Sequence, residues 1–275
     1  MKSPDNHIYT ANSDNSTGSW RELFRARELL LMWTLRDVRV RYKQSVVGIG
    51  WAVLQPLSLM LMFTLVFSVI VRVPTGDVPY PLFSYTAVLP WTFFAASIGM
   101  GVPSLVNNMN LVTKVRMPRE ILPMATVLAS LVDFAIASLV FVGMIVFYRV
   151  SLQWTALWVF PLLVIQIVLT IGVVLLGSSL NVIYRDIRFI VPLATQLWMY
   201  ASPIIYPVDM VPEPLRPLYF LNPMAGIIEG YRLAILEGLP PDLGAVGLSL
   251  LVSTVIFVLG YLAFKRLEPV FADLI

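Results

Sequence analysis

Apolar residues along this chain come in long blocks rather than in alternation. Five stretches hold no Asp, Glu, Lys or Arg: Gln44–Val71, Val78–Thr113, Val150–Tyr184, Phe189–Val208 and Leu243–Phe264. Each reaches or exceeds the ~20 apolar residues that a helix needs to cross a ~30 Å hydrocarbon layer. A further block, Ile121–Tyr148, is interrupted only by Asp133. The pattern predicts six helices, at about Gly48–Val71, Ser84–Val106, Ile121–Tyr148, Leu157–Leu180, Phe189–Ile205 and Val246–Phe264. The expected fold class is all-α and integral to a membrane, with six transmembrane helices between residues 44 and 264.

Composition strengthens this reading. Hydrophobic residues make up 58% of the chain and charged residues 13%, against about 45–50% and 25% in soluble domains. There is no cysteine, which excludes disulfides, thiolate metal sites and thiol nucleophiles. The one histidine, His7, sits in the polar segment Met1–Ser19 and has no convergent partners for a metal or triad. No metal or cofactor site is expected. The net charge of +3 is too small to argue for nucleic acid. Met1–Ser19 lacks the apolar core of a signal peptide and reads as a disordered cytoplasmic tail. Its Asn15-Ser16-Thr17 sequon has meaning only on a lumenal segment.

The basic residues are unevenly shared between the two sides. With the N-terminus inside, 15 of the 19 Lys and Arg residues fall on inside segments. Arg72, Arg149, Arg216 and Arg232 are the exceptions. The long outside segment Tyr206–Ala245 also carries Asp209, Glu213, Glu229, Glu237 and Asp242. N-in, C-in is the expected orientation, with residues 265–275 a cytoplasmic tail.

Residues 20–43 precede the first span. Ser19-Trp20-Arg21-Glu22 fits a capping box. At helical spacing one stripe reads Arg21, Arg25, Glu28, Met32, Arg36, Arg39, Lys43, and another reads Trp20, Phe24, Leu31, Leu35, Val38, Tyr42. That is a basic amphipathic helix suited to the membrane interface. A plain cationic flank that sets topology is the simpler reading, but the two-faced pattern is longer than topology requires.

Asn107–Arg119 is polar, then basic, and either forms a flat turn at the inner surface or a passive connection. Pro207–Gly244 is broken by seven prolines yet rich in Leu, Ile and Tyr. Asn222-Pro223 can open a short helix that stops near Gly238. Short apolar helices before a final span favour a re-entrant pair over a surface loop. Asp133 lies twelve residues into its span, ~18 Å deep at 1.5 Å per residue. It is either a functional acid or a carboxyl satisfied by Ser, Asn or backbone within the bundle. Gln55, Gln166, Gln196 and Asn181 suit interhelical hydrogen bonds. The chain contains no G-x-x-x-x-G-K-[ST], so motive energy has to come from an ion gradient or a partner.

The run from Leu35-Arg36-Asp37-Val38-Arg39-Val40-Arg41-Tyr42-Lys43 through Gly48-Ile49-Gly50-Trp51 to Gln55-Pro56-Leu57 resembles the entry motif of type-2 ABC exporter permeases. The resemblance is to their polysaccharide and polyol-phosphate branch, which includes O-antigen and teichoic-acid export permeases. It continues through Lys114-Val115-Arg116-Met117-Pro118-Arg119, Tyr184-Arg185-Asp186-Ile187, Ser202-Pro203-Ile204-Ile205-Tyr206-Pro207 and Leu221-Asn222-Pro223-Met224. It implies a homodimer of this chain in the bacterial cytoplasmic (inner) membrane, joined by two ABC nucleotide-binding subunits. Those partners would carry ATP and magnesium. It implies that residues 20–43 are an interface helix and that Lys114, Val115, Arg116, Met117, Pro118 and Arg119 couple to the ATPase. Pro207–Gly244 would be the re-entrant pair that helps close the channel. The substrate would be a lipid-linked polymer.

On that reading Arg36, Arg39, Arg41, Tyr42 and Lys43 are candidates to meet a diphosphate headgroup, because guanidinium forks suit phosphate oxygens. Trp51, Phe63, Phe67, Trp198, Tyr200 and Tyr206 are candidates for a smooth aromatic path. An ion-coupled transporter or flippase is the alternative, but one intramembrane acid and no visible repeat speak against it. An intramembrane enzyme would need a cluster of acids or metal ligands that the pattern lacks.

Overall fold

The computed structural model describes residues 26–43, 45–110 and 117–271. The capping box at Ser19 and Glu22, the first residues of the interface helix, and Lys114, Val115 and Arg116 lie outside these. The described residues form helices joined by turns, without strands. Helix α1 covers Arg27–Tyr42. Then come α2 at Gly48–Ile70, α3 at Tyr80–Gly101 and α4 at Ile121–Phe147. Helix α5 covers Val159–Ile183 and is led in by a tight turn at Trp154–Trp158. Helix α6 covers Ile187–Tyr200, α7 Pro223–Arg232 and α8 Leu243–Leu267. Five of these, α2, α3, α4, α5 and α8, are long and apolar enough to cross a membrane. The protein is therefore a multi-pass integral membrane protein.

Helix α6 differs from the expected fifth span. It has 14 residues, about 21 Å at 1.5 Å per residue. The chain then runs through turns to Tyr206. The cause lies at Pro203, which has no N–H to continue the ladder. Helix α3 starts earlier than expected because Pro81 occupies its first turn, where no N–H is needed. It ends at Gly101 just before Pro103.

Helix α3 is the centre of the bundle: Leu82, Tyr85, Ala87 and Phe94 are fully enclosed. It packs against α2, α4 and α5. Pro90 inside α3 is bridged by Gln166 of α5, whose Nε2 donates to the Pro90 carbonyl at 2.7 Å. The Tyr231 hydroxyl of α7 donates to the Gln166 Oε1 at 3.3 Å. Gln166 thus joins three helices, the cementing role that a polar side chain takes among apolar ones. Helices α5 and α8 cross closely because both are glycine at the crossing. A Cβ on Gly172 would stand 2.6 Å from the Phe257 Cα, and one on Gly260 would meet the Gly172 carbonyl.

The opposite end from α1 carries Pro207–Asp242. Asn222 caps α7, its Oδ1 accepting from the Met224 N–H at 3.1 Å. The helix continues in wider turns to Gly238, where a φ of 66° suits glycine. Helix α7 is buried along Met224, Ala225, Ile227, Ile228 and Tyr231. It packs on α8, α3 and α5 rather than lying on a surface.

Candidate functional site

The basic end of the bundle gathers α1, the residues that lead into α4, and the last turn of α8. Helix α1 lies along α4. Its inward stripe is Leu29, Leu30, Trp33, Thr34, Asp37, Val38, Arg41 and Tyr42. That stripe mixes apolar and charged residues, so neither of the two sequence stripes describes it. Leu31 and Leu35, expected with Val38 and Tyr42 on one face, point outward beside Arg36, Arg39 and Lys43.

The reason for the mixed stripe is Asp133. Its Oδ2 accepts from the Arg41 Nη1 in an ion pair. Its Oδ1 accepts from the Tyr42 hydroxyl at 2.7 Å. The Arg41 Nη2 also donates to the Ser130 Oγ at 3.2 Å and to the Thr126 carbonyl at 3.4 Å. Both side chains of the pair are largely enclosed, with 12% of Arg41 and 18% of Asp133 exposed. Burial and the Asp133 carboxylate push the Tyr42 hydroxyl well above the usual phenol range, which keeps it a donor. Burial raises the Asp37 carboxyl, and Arg36 and Arg41 partly oppose that. The sequence reading offered Ser, Asn or backbone as partners for Asp133; the structure supplies Arg41 and Tyr42 instead. Arg41 and Tyr42 are accordingly engaged with Asp133 inside the protein.

The other basic residues of α1 are placed differently. Arg36 is exposed, with its guanidinium 4.2 Å from the Trp33 ring and its Nη1 donating to the Asn108 Oδ1 at 3.4 Å. Arg39 and Lys43 are exposed.

Met117–Arg119, the described part of the segment expected to couple to an ATPase, turns inward. Met117 packs against the cluster of Leu105, Leu122, Leu175, Val182, Phe264 and Phe271. The Arg119 Nη1 donates to the Glu268 carbonyl, and its guanidinium lies 6.0 Å from the Phe271 ring. Lys265 pairs with Glu120 and, at 2.8 Å, with Glu268. The entry to α4 is therefore fastened to the end of α8. Pro118 is half-buried between them in sequence.

The six aromatic residues of the expected path differ in exposure and partners. Trp51 is exposed at the start of α2. Phe63 is buried in the core, edge-on to Phe67 at 6.1 Å. Trp198 is half-buried and edge-on to Phe94 at 5.0 Å. Tyr200 is exposed, and its carbonyl accepts from the Tyr206 hydroxyl at 3.2 Å. Sequence reasoning missed Ser130, Thr126, Lys265, Glu120 and Glu268. The one available signal was Asp133 itself, since an acid at that depth demands a cation.

The family description "ABC-2 type transporter" matches residues 28–236, from α1 to the end of α7. The chain belongs to the ABC-2 type transporter family. An O-antigen export system permease protein of Klebsiella pneumoniae is 31% identical over 253 residues, covering 90% of this chain and 95% of that relative. One from Myxococcus xanthus is 33% identical over 228 residues, 81% of this chain and 85% of the relative. A polysialic acid transport protein of Escherichia coli is 22% identical over 209 residues, covering 74% and 80%. The matched region contains both α1 and the residues that lead into α4.

Proposed function

We propose that this chain is the membrane-spanning subunit of an ABC exporter that moves a cell-envelope polysaccharide across the cytoplasmic membrane. The observation that carries this is the similarity to the O-antigen export permeases, which covers 90% and 81% of this chain in the two relatives. The polymer rides on a lipid anchor, and a separate ATP-binding subunit supplies the energy. Two copies of this chain and two ATPase subunits make the complete assembly, with a path on the two-fold axis.

The chain sits N-in and C-in, the basic end facing the cytoplasm, a reading that the distribution of Lys and Arg supports. Helix α6 and the turns to Tyr206 together make the fifth of six crossings, and the segment Arg216–Tyr219 with α7 forms the re-entrant pair. Lys114–Arg119 seats in the ATPase. Arg36, Arg39 and Lys43, exposed on α1, meet the diphosphate, while Arg41 stays with Asp133. The lipid tail runs beside α2 and α6, whose outer faces are apolar. Trp51, Trp198, Tyr200 and Tyr206 offer the glycan flat faces without fixed hydrogen bonds. The Asp133 carboxylate is held in an ion pair with Arg41, which supports the ATP-driven reading over a gradient-driven one.

The test is co-purification and reconstitution with the ATP-binding subunit. Arg116→Asp together with Met117→Asp is expected to abolish complex formation and stimulation of ATP hydrolysis. An intact, stimulated complex would remove Lys114–Arg119 from the coupling role. Polysaccharide movement in sealed vesicles by the chain alone would overturn the exporter reading itself.

A further inference from the structure

Asp133 stands midway along a 27-residue apolar helix. Both of its oxygens are taken by consecutive residues of α1: Oδ2 by Arg41 and Oδ1 by Tyr42. One contact would leave α1 free to pivot. Two contacts from neighbouring residues resist both sliding and rotation. Arg41 extends the attachment down α4, to Ser130 and to the carbonyl of Thr126, one and two turns nearer the coupling loop. Residues 126, 130 and 133 share one face of α4 at spacings of four and three. Breaking the pair is unfavourable for both partners, because an unpaired charge is costly in hydrocarbon or protein. Below this, α4 begins at Ile121, directly after Arg119 and Glu120, which are fastened to Glu268 and Lys265 of the α8 end.

We infer that Asp133 is a transmission residue: through Arg41 and Tyr42 it makes α1 move as one body with α4, and so with the coupling loop that runs into α4. A stroke received at residues 114–119 is then delivered to the exposed basic face of α1, with Arg36 and Arg39, without a separate contact between the ATPase and α1. Asp133 does not touch substrate in this role. It is a positioning residue that acts through Arg41, and the inference rests on the ABC exporter reading above.

The chain has no cysteine, so a single thiol reports one place. Thr34 is 6% exposed on the inward stripe of α1, and its hydroxyl bonds only the carbonyl of Leu30 on its own helix. In proteoliposomes holding permease and ATPase subunit, Thr34→Cys is expected to react slowly with a polar maleimide, with or without ATP. Adding Asp133→Asn or Arg41→Met is expected to raise the labelling rate at least tenfold. The same variants should cut polysaccharide exported per ATP hydrolysed at least tenfold, while ATP hydrolysis stays within twofold.

Exchanging the pair, Arg41→Asp with Asp133→Arg, should restore slow labelling and at least a third of the export yield, which a merely space-filling role would not do. Labelling and yield within twofold of the parent in Asp133→Asn overturn the inference, as does an exchange variant no better than the single ones. If the single variants fail to accumulate, the exchange variant decides: accumulation with slow labelling supports the pair, and failure to accumulate overturns it. A wild-type complex that hydrolyses ATP but moves no polysaccharide sinks the exporter reading alone, because the labelling needs no substrate.

Discussion

The Trp198 indole N–H donates to the Asn222 side-chain oxygen at 2.8 Å, tying the end of α6 to the start of α7. The same oxygen caps α7 through Met224, and the Asn222 Nδ2 donates to the Ala201 carbonyl at 3.0 Å and the Ser202 Oγ at 2.9 Å. One amide therefore serves four groups on two elements. Asn222→Leu is expected to strand several of them, at about 1–3 kcal/mol for each buried group left unpaired. The melting temperature of the purified protein should fall by several degrees. Asn222→Asp keeps both acceptor contacts and loses the two donors, so its melting point should fall between the two. An unchanged melting point for Asn222→Leu would remove the hub from the account.

The crossing of α5 and α8 leaves no room for a side chain at Gly172 or Gly260. Gly260→Val has to push the backbones apart, and overpacking of this kind costs about 1–3 kcal/mol, occasionally more. Loss of a monodisperse peak on size-exclusion chromatography after mild heating would show it. Gly143 is the control: it is exposed, and a Cβ there meets nothing within 4 Å. Gly143→Ala should be neutral or stabilising by up to about 1 kcal/mol from helix propensity.

Arg232 is 2% exposed, and its guanidinium lies 3.6 Å from the Phe83 ring centroid. Its Nη2 donates to the Ile204 carbonyl at 3.0 Å and its Nη1 to that of Tyr206 at 3.4 Å, with Glu229 3.8 Å away. Arg232→Met leaves Glu229 and two carbonyls without their cation, and breaking a buried pair in this way costs about 3–5 kcal/mol. Arg232→Lys keeps the charge but not the planar fork, and should recover only part of the loss. Denaturation in a chaotrope series would rank the three proteins. Equal midpoints for Arg232→Met and the parent would contradict the assignment.

Arg36 and Arg39 are exposed, so their removal should change stability by less than about 0.5 kcal/mol. If they meet the lipid diphosphate, Arg36→Ala with Arg39→Ala should raise the half-saturating concentration of lipid-linked glycan by roughly tenfold or more, since a charge-assisted hydrogen bond is worth about 1.5–3 kcal/mol when fully formed and about 1.4 kcal/mol is tenfold. Basal ATP hydrolysis should not move. A half-saturating concentration equal to that of the parent would take both residues out of the headgroup site.

Asp37 gives a pH-dependent test of how α1 packs. Burial raises its carboxyl above the ordinary value, against Arg36 and Arg41. The folded state therefore binds the proton more tightly than the unfolded state. The ionised carboxylate costs stability at neutral pH. That cost is relieved as pH falls through the raised folded value, and it is gone below the ordinary carboxylate value. Relative to Asp37→Asn, the parent should gain stability as pH is lowered through that window. Parallel melting curves for the two proteins across pH 7 to 4 would show that Asp37 is not desolvated.

Much of the bundle could be read from charge-free length alone. The ends of α2, α4 and α8 fall within a few residues of expectation, because a helix in hydrocarbon has to satisfy its own backbone and so runs until its apolar block ends. The Asn222-Pro223 start and the Gly238 stop of α7 were legible for the same local reason. Helix α6 was misjudged because hydropathy does not register a missing N–H at Pro203. The α1 face was misjudged because periodicity assumes that apolar residues turn inward, whereas here Arg41 and Tyr42 turn inward to meet an acid ninety-odd residues away.

The amino-acid order by itself gave the repeated membrane spans, the absence of a G-x-x-x-x-G-K-[ST] motif and the concentration of Lys and Arg on alternate inter-span segments. Each of these depends on local content: block length, motif and charge count. Only the folded arrangement decided which cations are committed and which are exposed. Arg41 and Arg39 are two residues apart and chemically identical, yet one pairs with Asp133 and the other faces outward. That distinction depends on which helix packs against which, and no window of sequence short enough to read contains both partners.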